Sequence, residues 1–261
     1  MRQFGWSWVR CATLLCMVWG VGQQGHAQSL NIYTEIAPPN QIRLPNGELG
    51  GRVVEVVREI QRRINNTDPI QEVPWARGYR ELERSPNTML FLTARTADRN
   101  ALFQWVGPLS ETSFALYVKA DATVTLSNLD DAKKLKSIGV YRSDARDQML
   151  TAAGFTNLDR TNDAGTNAKK LMADRIDAFA ASSASIDGIL SSAGVPRENV
   201  RVGLVFSTVQ TWLAFSKETP LSVVAAWAGA LESMKKDKTF DKLMKVGAPG
   251  WVAPSKPITT F

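Results

Sequence analysis

Hydrophobic and polar positions alternate along this chain with two periods, one typical of helices and one typical of strands. In GRVVEVVREIQRRINN, aliphatic residues recur every three or four positions and predict one buried face of an amphipathic helix: Val53, Val56, Val57, Ile60 and Ile64. Short apolar or alternating runs predict strands at 30–33, 70–75, 88–94 and 114–120. A short helix is predicted between the second and third of these runs, in ARGYRELER.

The second half of the chain repeats the alternation of strand and helix. Ile138 to Tyr141 is a predicted strand, followed by a helix capped by Ser143 or Asp144. Further strands are predicted at 176–180 and 200–206, and a helix is predicted with Thr219 as its cap and Pro220 in its first position. Strands separated by helices predict an α/β fold with mostly parallel sheets. Because the order runs once before about residue 118 and once after it, we expect two similar lobes with a ligand cleft between them.

The first 27 residues have the pattern of a signal peptide that is removed. Arg2 and Arg10 precede an apolar run at 11–21, and small residues stand at Gly25 and Ala27. The apolar run is too short to span a bilayer. We therefore expect an exported, soluble protein that begins near residue 28.

Removal of this segment limits the chemistry of the rest of the chain. Both cysteines, Cys11 and Cys16, and the single histidine, His26, lie within it. The remaining chain therefore excludes a cysteine nucleophile, a Ser-His-Asp triad, a histidine base and a His/Cys zinc site. We expect no catalytic residues, no metal and no cofactor, and a core without disulfides.

The charge balance argues against nucleic acid as a partner. Removing Arg2 and Arg10 from the 31 lysines and arginines leaves 29, against 25 aspartates and glutamates. These charges are dispersed, and no basic stripe alternates with aromatic residues. We expect a monomer that binds a small molecule.

A cationic pair marks a candidate site. Arg95 and Arg99 lie four residues apart, between an apolar strand and the aromatic residues Phe103 and Trp105. If a helix opens at Arg99, the helix dipole disfavours a cation there unless an anion meets it. Two solvated arginines on a loop are the alternative.

Several segments in order resemble the periplasmic substrate-binding proteins of ABC transporters, in the polar amino acid-binding group (solute-binding protein family 3). They are YTEIAPP with NGELGGRVVEVVREIQRR, VPWARGYRELERSPNT, RTADRNALFQWVGPL, SIGVYRSDARDQML, RIDAF and SKETPLSVVAAWAGALESMKKDKTFDKLM. The resemblance implies a type II two-lobe fold, with mixed sheets flanked by helices and a cleft between the lobes. It implies a first lobe of residues 28–118 plus 206–261, and a second lobe of residues 119–205.

The resemblance also implies ligand-binding residues in both lobes. Arg99 matches an arginine that grips the ligand's carboxylate through a bidentate fork, and a lobe-surface salt bridge is the alternative. Around it, Thr93, Ala94 and Thr96 match positions that supply backbone and hydroxyl contacts, while Arg95 has no role assigned by the family. Glu35 matches an acidic residue that meets an amine, or is an exposed loop carboxylate. Trp75 matches an aromatic residue that stacks on the ligand, or is core.

In the second lobe, VYRSDAR matches a strand-to-helix turn whose N–H groups and hydroxyls complete the carboxylate site. The matching residues are Tyr141, Ser143, Asp144 and Ala145, and the alternative for Asp144 is a helix cap alone. One departure from the family concerns Ser182, which stands where members that bind α-amino acids carry an aspartate for the α-ammonium group. A serine cannot neutralise a buried ammonium. We therefore expect a ligand without an α-amine, or one whose amine is met by Glu35 or Asp144.

The resemblance implies a periplasmic receptor that delivers its ligand to the membrane permease of an ABC transporter. Two alternatives stay open: an enzyme on the same scaffold, of the cyclic-carboxylate dehydratase kind, and a sensory binding protein. The sequence shows no paired acidic residues in the expected cleft, which argues against the enzyme.

Overall fold

A computed structural model describes residues 1, 29–248, 251–254 and 256–258 of the chain. The predicted signal peptide lies outside the described residues apart from Met1. The strands are β1 (Asn31–Thr34), β2 (Ile42–Arg43), β3 (Leu49–Gly50), β4 (Ile70–Glu72), β5 (Thr88–Arg95), β6 (Gln104–Lys119), β7 (Ile138–Tyr141), β8 (Leu158–Thr161), β9 (Ala178–Ser182) and β10 (Val200–Phe215). The helices are α1 (Arg52–Ile64), α2 (Trp75–Arg84), α3 (Ala97–Asn100), α4 (Leu129–Lys133), α5 (Ala145–Ala152), α6 (Ala164–Met172), α7 (Ile186–Ala193), α8 (Leu221–Lys236) and α9 (Thr239–Met244).

The helix with the clearest periodicity forms where the pattern predicts it. In α1 the aliphatic face is buried, and the helix ends at Asn65 in the left-handed conformation. The predicted strand Ile138–Tyr141 is β7, and the helix after it, α5, is capped by Asp144, whose Oδ1 accepts a hydrogen bond of 2.9 Å from the amide of Asp147. Local pattern and cap chemistry therefore determine these elements.

Eight strands form one mixed sheet in the order β4-β1-β5-β10-β6-β9-β7-β8. The strands near the two edges are parallel to their neighbours, whereas β10 is antiparallel to both β5 and β6. Both β6 and β10 are 16 residues long and pair along most of their length. They therefore run through the middle of the molecule and join its two halves.

Most of the buried apolar residues belong to two regions along these long strands. The terminal core combines residues from 30–109 with residues from 213–244, under α1, α8 and α9. The central core combines residues from 115–200 and covers both faces of the sheet. Successive residues of β6 point to opposite faces there: Ala115 and Tyr117 pack towards α6 and α7, and Leu116 and Val118 towards the other face.

Three local expectations were wrong. The strand predicted at 70–75 ends at Glu72, and Trp75 is already the first residue of α2. The helix near Arg99 opens at Ala97 and has only four residues; residues 101–103 form a turn after it, and the apolar stretch that follows belongs to the strand β6 from Gln104 onwards. This stretch continues the antiparallel pairing with β10, so tertiary pairing decides its structure. The helix α8 begins at Leu221, with the extended Pro220 as its cap residue, while the Thr219 hydroxyl bonds the Ser216 hydroxyl at 2.9 Å.

Candidate functional site

A cavity of about 110 Å³ lies between the terminal and central cores, and side chains from both halves form its wall. Seven of the twelve residues that the sequence predicted line it: Glu35, Trp75, Ala94, Arg99, Asp144, Ala145 and Ser182. Most of the other lining residues are small or carry hydroxyl groups: Ala37, Asn40, Leu92, Ser110, Thr112, Phe114, Arg146, Ala184, Ser185 and Thr211. The wall is therefore polar at many points and charged at four.

Arg99 is the most deeply buried charge in this wall, with 1% of its surface exposed. Its Nε donates to Oε1 of Gln148 at 2.9 Å, and its two terminal nitrogens approach the carbonyls of Ala94 and Ser143 at 3.4 and 3.5 Å. All three acceptors are neutral. Burial lowers the pKa of the Arg99 guanidinium from its ordinary value, but an arginine keeps its charge in proteins. The cavity therefore contains a positive charge that these acceptors do not neutralise.

Aromatic rings hold the Arg99 guanidinium in place. Its central carbon lies 4.6 Å from the ring centroid of Tyr79 and 5.4 Å from that of Trp75. These two rings stack on each other at 5.8 Å, because both belong to the first turns of α2. Cation–π contacts of this kind are worth about 0.5–2 kcal/mol. The short helix α3 brings Arg99 against them from the end of β5.

Ser143 contacts the site through its backbone. Its carbonyl accepts a hydrogen bond of 3.0 Å from the indole of Trp75, across the boundary between the two halves. Its amide donates instead to Oδ2 of Asp147 at 2.9 Å, and its φ of 62° lies in the left-handed region. The turn therefore directs a carbonyl, an acceptor, towards Arg99, whereas the family pattern implied N–H donors and hydroxyls there.

A second arginine of the wall was missed by the sequence reasoning. Arg146 lies two residues after Asp144, and its Nε donates to Oδ2 of that aspartate at 2.7 Å. Its guanidinium carbon lies 5.2 Å from the ring of Phe114. The spacing of two residues after a predicted helix cap was the available signal. Asp144 is thus both a helix cap and the partner of Arg146, and the two charges offset each other.

Glu35 and Tyr141 bridge the two halves on another side of the cavity. The Tyr141 hydroxyl donates to Oε2 of Glu35 at 2.9 Å. Burial raises the pKa of the Glu35 carboxyl to about 7, and the neighbouring Asp144 also raises it, while Tyr141 and Arg146 act in the opposite direction. Burial and the nearby Glu35 charge raise the pKa of Tyr141. Glu35 is therefore a carboxyl group that is part protonated near neutral pH.

Hydroxyl groups complete the wall. The hydroxyls of Ser182 and Ser185 bond each other at 2.7 Å, as do those of Ser110 and Thr211. Ser182 is buried and lines the cavity without a charge. These groups can donate or accept single hydrogen bonds to a ligand, but they cannot neutralise one.

The other predicted residues lie beside the cavity. The Thr93 hydroxyl is buried and donates to the carbonyl of Leu90 at 2.9 Å, and Thr96 is the residue that caps α3. The Arg95 guanidinium stacks between Trp105 and Trp212, at 5.6 and 4.7 Å. Tyr141 reaches the site through its bond to Glu35. The structure thus separates Arg99, which faces the cavity, from Arg95, which does not.

No group of three His, Cys, Asp or Glu side chains that could hold a metal ion occurs within the described part of the chain. In the same residues, no helix combines the length and the apolar character that crossing a membrane requires.

Comparisons with known proteins identify the fold. The model of the family described as bacterial extracellular solute-binding proteins, family 3, matches residues 30–246. A histidine kinase sensor domain with similarity to periplasmic binding proteins aligns with a TM-score of 0.76 and 16% identity, over 87% of this chain and 99% of that one. A mutant of ArgBP from T. maritima aligns with a TM-score of 0.72 and 18% identity, over 84% of this chain and 94% of that one.

A third solved structure is the arginine-, lysine-, histidine-binding protein ArtJ from the thermophilic bacterium Geobacillus stearothermophilus. It aligns with a TM-score of 0.73 and 16% identity, over 87% of this chain and 97% of that one. A search among curated proteins found no match. These likenesses confirm the two-lobe periplasmic binding protein fold that the sequence predicted.

Proposed function

Since this chain belongs to the bacterial extracellular solute-binding proteins, family 3, we propose that it is a periplasmic, non-enzymatic receptor for a small carboxylate-bearing, amino acid-like ligand. It delivers this ligand to the membrane permease of an ABC transporter, after removal of the signal peptide of residues 1–27. The amino acid-binding function named for ArtJ supports this ligand class.

The single observation that carries the proposal is the state of Arg99. It is buried in the cavity wall, and within the described residues its hydrogen bonds of 2.9 to 3.5 Å go to one amide and two carbonyls, while Asp144, whose charge also acts on Arg99, is paired with Arg146. A ligand carboxylate would add the missing negative charge and two acceptors in the fork geometry that a guanidinium prefers.

The surroundings of Ser182 argue against a standard α-amino acid. Its hydroxyl is bonded to that of Ser185, so the position offers an α-ammonium no charge. A buried ammonium without a charged partner is strongly disfavoured. We therefore propose a carboxylate ligand without an α-ammonium group at Ser182.

We also propose that the lobes, residues 28–118 with 206–261 and residues 119–205, close on the ligand through β6 and β10. Hydrogen bonds cross the cleft from Trp75 to Ser143, from Tyr141 to Glu35 and from Arg99 to Gln148. These contacts are typical of a closed form and account for the small volume of the cavity. Opening the cleft would break these three hydrogen bonds. Contacts with an entering ligand would compensate for the free energy lost with them.

A thermal-shift screen of small carboxylates against the processed protein tests this function. We expect at least one to raise the melting temperature and to be recovered unchanged by mass spectrometry. Its affinity should fall at least about 30-fold in Arg99→Ala with unchanged circular dichroism. No binding by any carboxylate would contradict the proposal, and chemical conversion of the ligand would favour the dehydratase alternative.

A second candidate function is a sensory binding protein, because a histidine kinase sensor domain shares this fold. The two functions differ in the membrane partner. Photo-cross-linking from the lobe surfaces in intact cells, followed by mass spectrometry, should recover a permease subunit for a transport receptor. Recovery of a histidine kinase would favour the sensory function.

A further inference from the structure

A second cavity of about 330 Å³ lies next to the first. We call it the second chamber, and the 110 Å³ cavity the first chamber. The two chambers share four lining residues: Glu35, Ala37, Arg146 and Ser185. The rest of the second chamber is formed by Ile36, Pro38, Tyr141, Asn162, Asp163, Ala164, Gly165, Gly188, Ile189 and Ser192. It therefore lies between the loop after β1 and the start of α6 and α7.

The first chamber is small for an amino acid-like ligand. A cavity of roughly 150 Å³ holds a benzene molecule, and ligand pockets usually measure about 300–1,000 Å³. A carboxylate on Arg99 would take much of the first chamber, and the rest of the ligand would need more space. The shared wall at Glu35 and Arg146 makes the second chamber the adjoining space.

The two chambers differ in charge. The first contains Arg99, whose bonded partners are neutral. The second is lined by the carboxyl groups of Glu35 and Asp163, and its one cation, Arg146, is paired with Asp144. In the described part of the chain, Oε2 of Glu35 accepts from the Tyr141 hydroxyl and the Trp75 backbone also acts on this carboxyl, while Asp163 uses Oδ2 for both of its hydrogen bonds from Thr166. An ionised carboxylate has about four acceptor positions, so each of the two groups can accept from a further donor.

We propose that the second chamber binds the cationic far end of the ligand, while Arg99 binds its carboxylate. The ligand class is then an ω-amino or ω-guanidino carboxylate that has no α-ammonium. The inference rests on the proposed function, because it uses the same cleft and the same Arg99. Such a ligand needs no charged partner at Ser182, and its distal cation would meet the carboxyl groups of Glu35 and Asp163. An added cation near Glu35 also favours the ionised form of that buried carboxyl.

Calorimetry with four probes tests this assignment at low salt and pH 7.5. The probes are butanoate, 4-aminobutanoate, 4-guanidinobutanoate and L-arginine. We expect each ω-cationic butanoate to bind at least about tenfold more tightly than butanoate. The reason is that only a distal cation can form charged hydrogen bonds with Glu35 and Asp163. L-arginine should bind more weakly than 4-guanidinobutanoate, since its α-ammonium meets the Ser182 and Ser185 hydroxyls.

Two charge-removing variants locate the effect. Glu35→Gln keeps an acceptor for Tyr141, and Asp163→Asn keeps a side chain that caps α6. Both should weaken binding of the ω-cationic probes, with the larger loss in Glu35→Gln, and leave butanoate within about threefold of wild type. Asp130→Asn, in the exposed first turn of α4, is the matched control and should change none of the four affinities.

The outcomes separate this inference from the proposed function. If butanoate binds as tightly as its ω-cationic derivatives and still depends on Arg99, the second chamber does not hold a cation, and the receptor function stands. The same conclusion follows if another carboxylate from the screen binds through Arg99 while both ω-cationic probes do not. If no carboxylate binds the folded protein, both proposals are wrong.

Discussion

Replacing Arg99 by methionine should separate ligand binding from the stability of the fold. Methionine has a similar reach, is apolar, and makes favourable contacts with aromatic rings such as those of Trp75 and Tyr79. The variant removes the guanidinium that the proposed carboxylate needs. It also removes a charge that the ligand-free protein buries without a carboxylate bonded to it.

The structure allows both effects to be estimated. Burying an unpaired cation costs several kcal/mol. The cation–π contacts stabilise the folded state by about 0.5–2 kcal/mol, and a good hydrogen bond from a charged donor stabilises it by about 1.5–3 kcal/mol. Only the bond from Arg99 to Gln148, at 2.9 Å, is short, whereas the other two measure 3.4 and 3.5 Å. These contributions nearly balance, so we expect Arg99→Met to unfold within about 1 kcal/mol of wild type.

The loss of binding should be far larger. Removing the partner of a desolvated carboxylate costs about 2–5 kcal/mol, which is about 30- to 4,000-fold in affinity. Urea unfolding without ligand measures the change in the free energy of unfolding, and calorimetry with the strongest carboxylate from the screen measures the change in affinity. Arg95→Met is the matched control, because its guanidinium stacks between Trp105 and Trp212 outside the cavity, and its affinity should be unchanged. A destabilisation above about 3 kcal/mol, with affinity kept within about threefold, would refute the reasoning.

Three further predictions concern pH and closure. The raised pKa of Glu35, about 7 against an ordinary 4.5, means that the folded state binds more protons between these values. Its free energy of unfolding should therefore fall by up to about 3 kcal/mol as the pH rises from 4.5 to 7, and equal urea titrations of wild type and Glu35→Gln would contradict this. A Cβ on Gly188 would lie 3.0 Å from the Pro38 carbonyl across the cleft, so Gly188→Val should hold the lobes apart and weaken carboxylate binding at least about tenfold. Gly229→Val, where a Cβ meets open space, is its control in calorimetry. Small-angle scattering should show a smaller radius of gyration with saturating ligand than without it, and an unchanged radius would argue for a rigid pocket.

The sequence predicts best where local physics alone decides the structure. The aliphatic face of α1 follows from its periodicity, and Asp144 caps α5 as an aspartate before a helix should. The position of Arg99 in the cavity wall was predicted from the resemblance of several ordered segments to a protein family, and not from hydrophobic periodicity. The absence of charge on the Ser182 side chain follows directly from its residue type, whereas its hydrogen bond to the Ser185 hydroxyl was not predicted.

Tertiary pairing and packing explain what the sequence did not predict. The sequence pattern predicted only the second part of the 16-residue strand β6, at 114–120, and the structure of its first part depends on pairing with β10. Arg95 and Arg99 have the same chemistry, and contacts with Trp105, Trp212 and the Asn100 side chain hold Arg95 outside the cavity. The position of Arg146 in the cavity wall likewise depends on packing against the ring of Phe114, which is distant in sequence and lies on β6.

The composition of the two cores sets an order for the folding of the chain. The central core is built from the contiguous stretch 115–200, so it can form as soon as that stretch is available. The terminal core needs contacts such as the pairing of Met89 with Phe215, and these require the whole intervening chain to be closed into a loop. Contacts between distant parts of a chain form slowly. We therefore expect the terminal core to form last, and with it the proposed binding site, because residues from both halves of the sheet line the cavity.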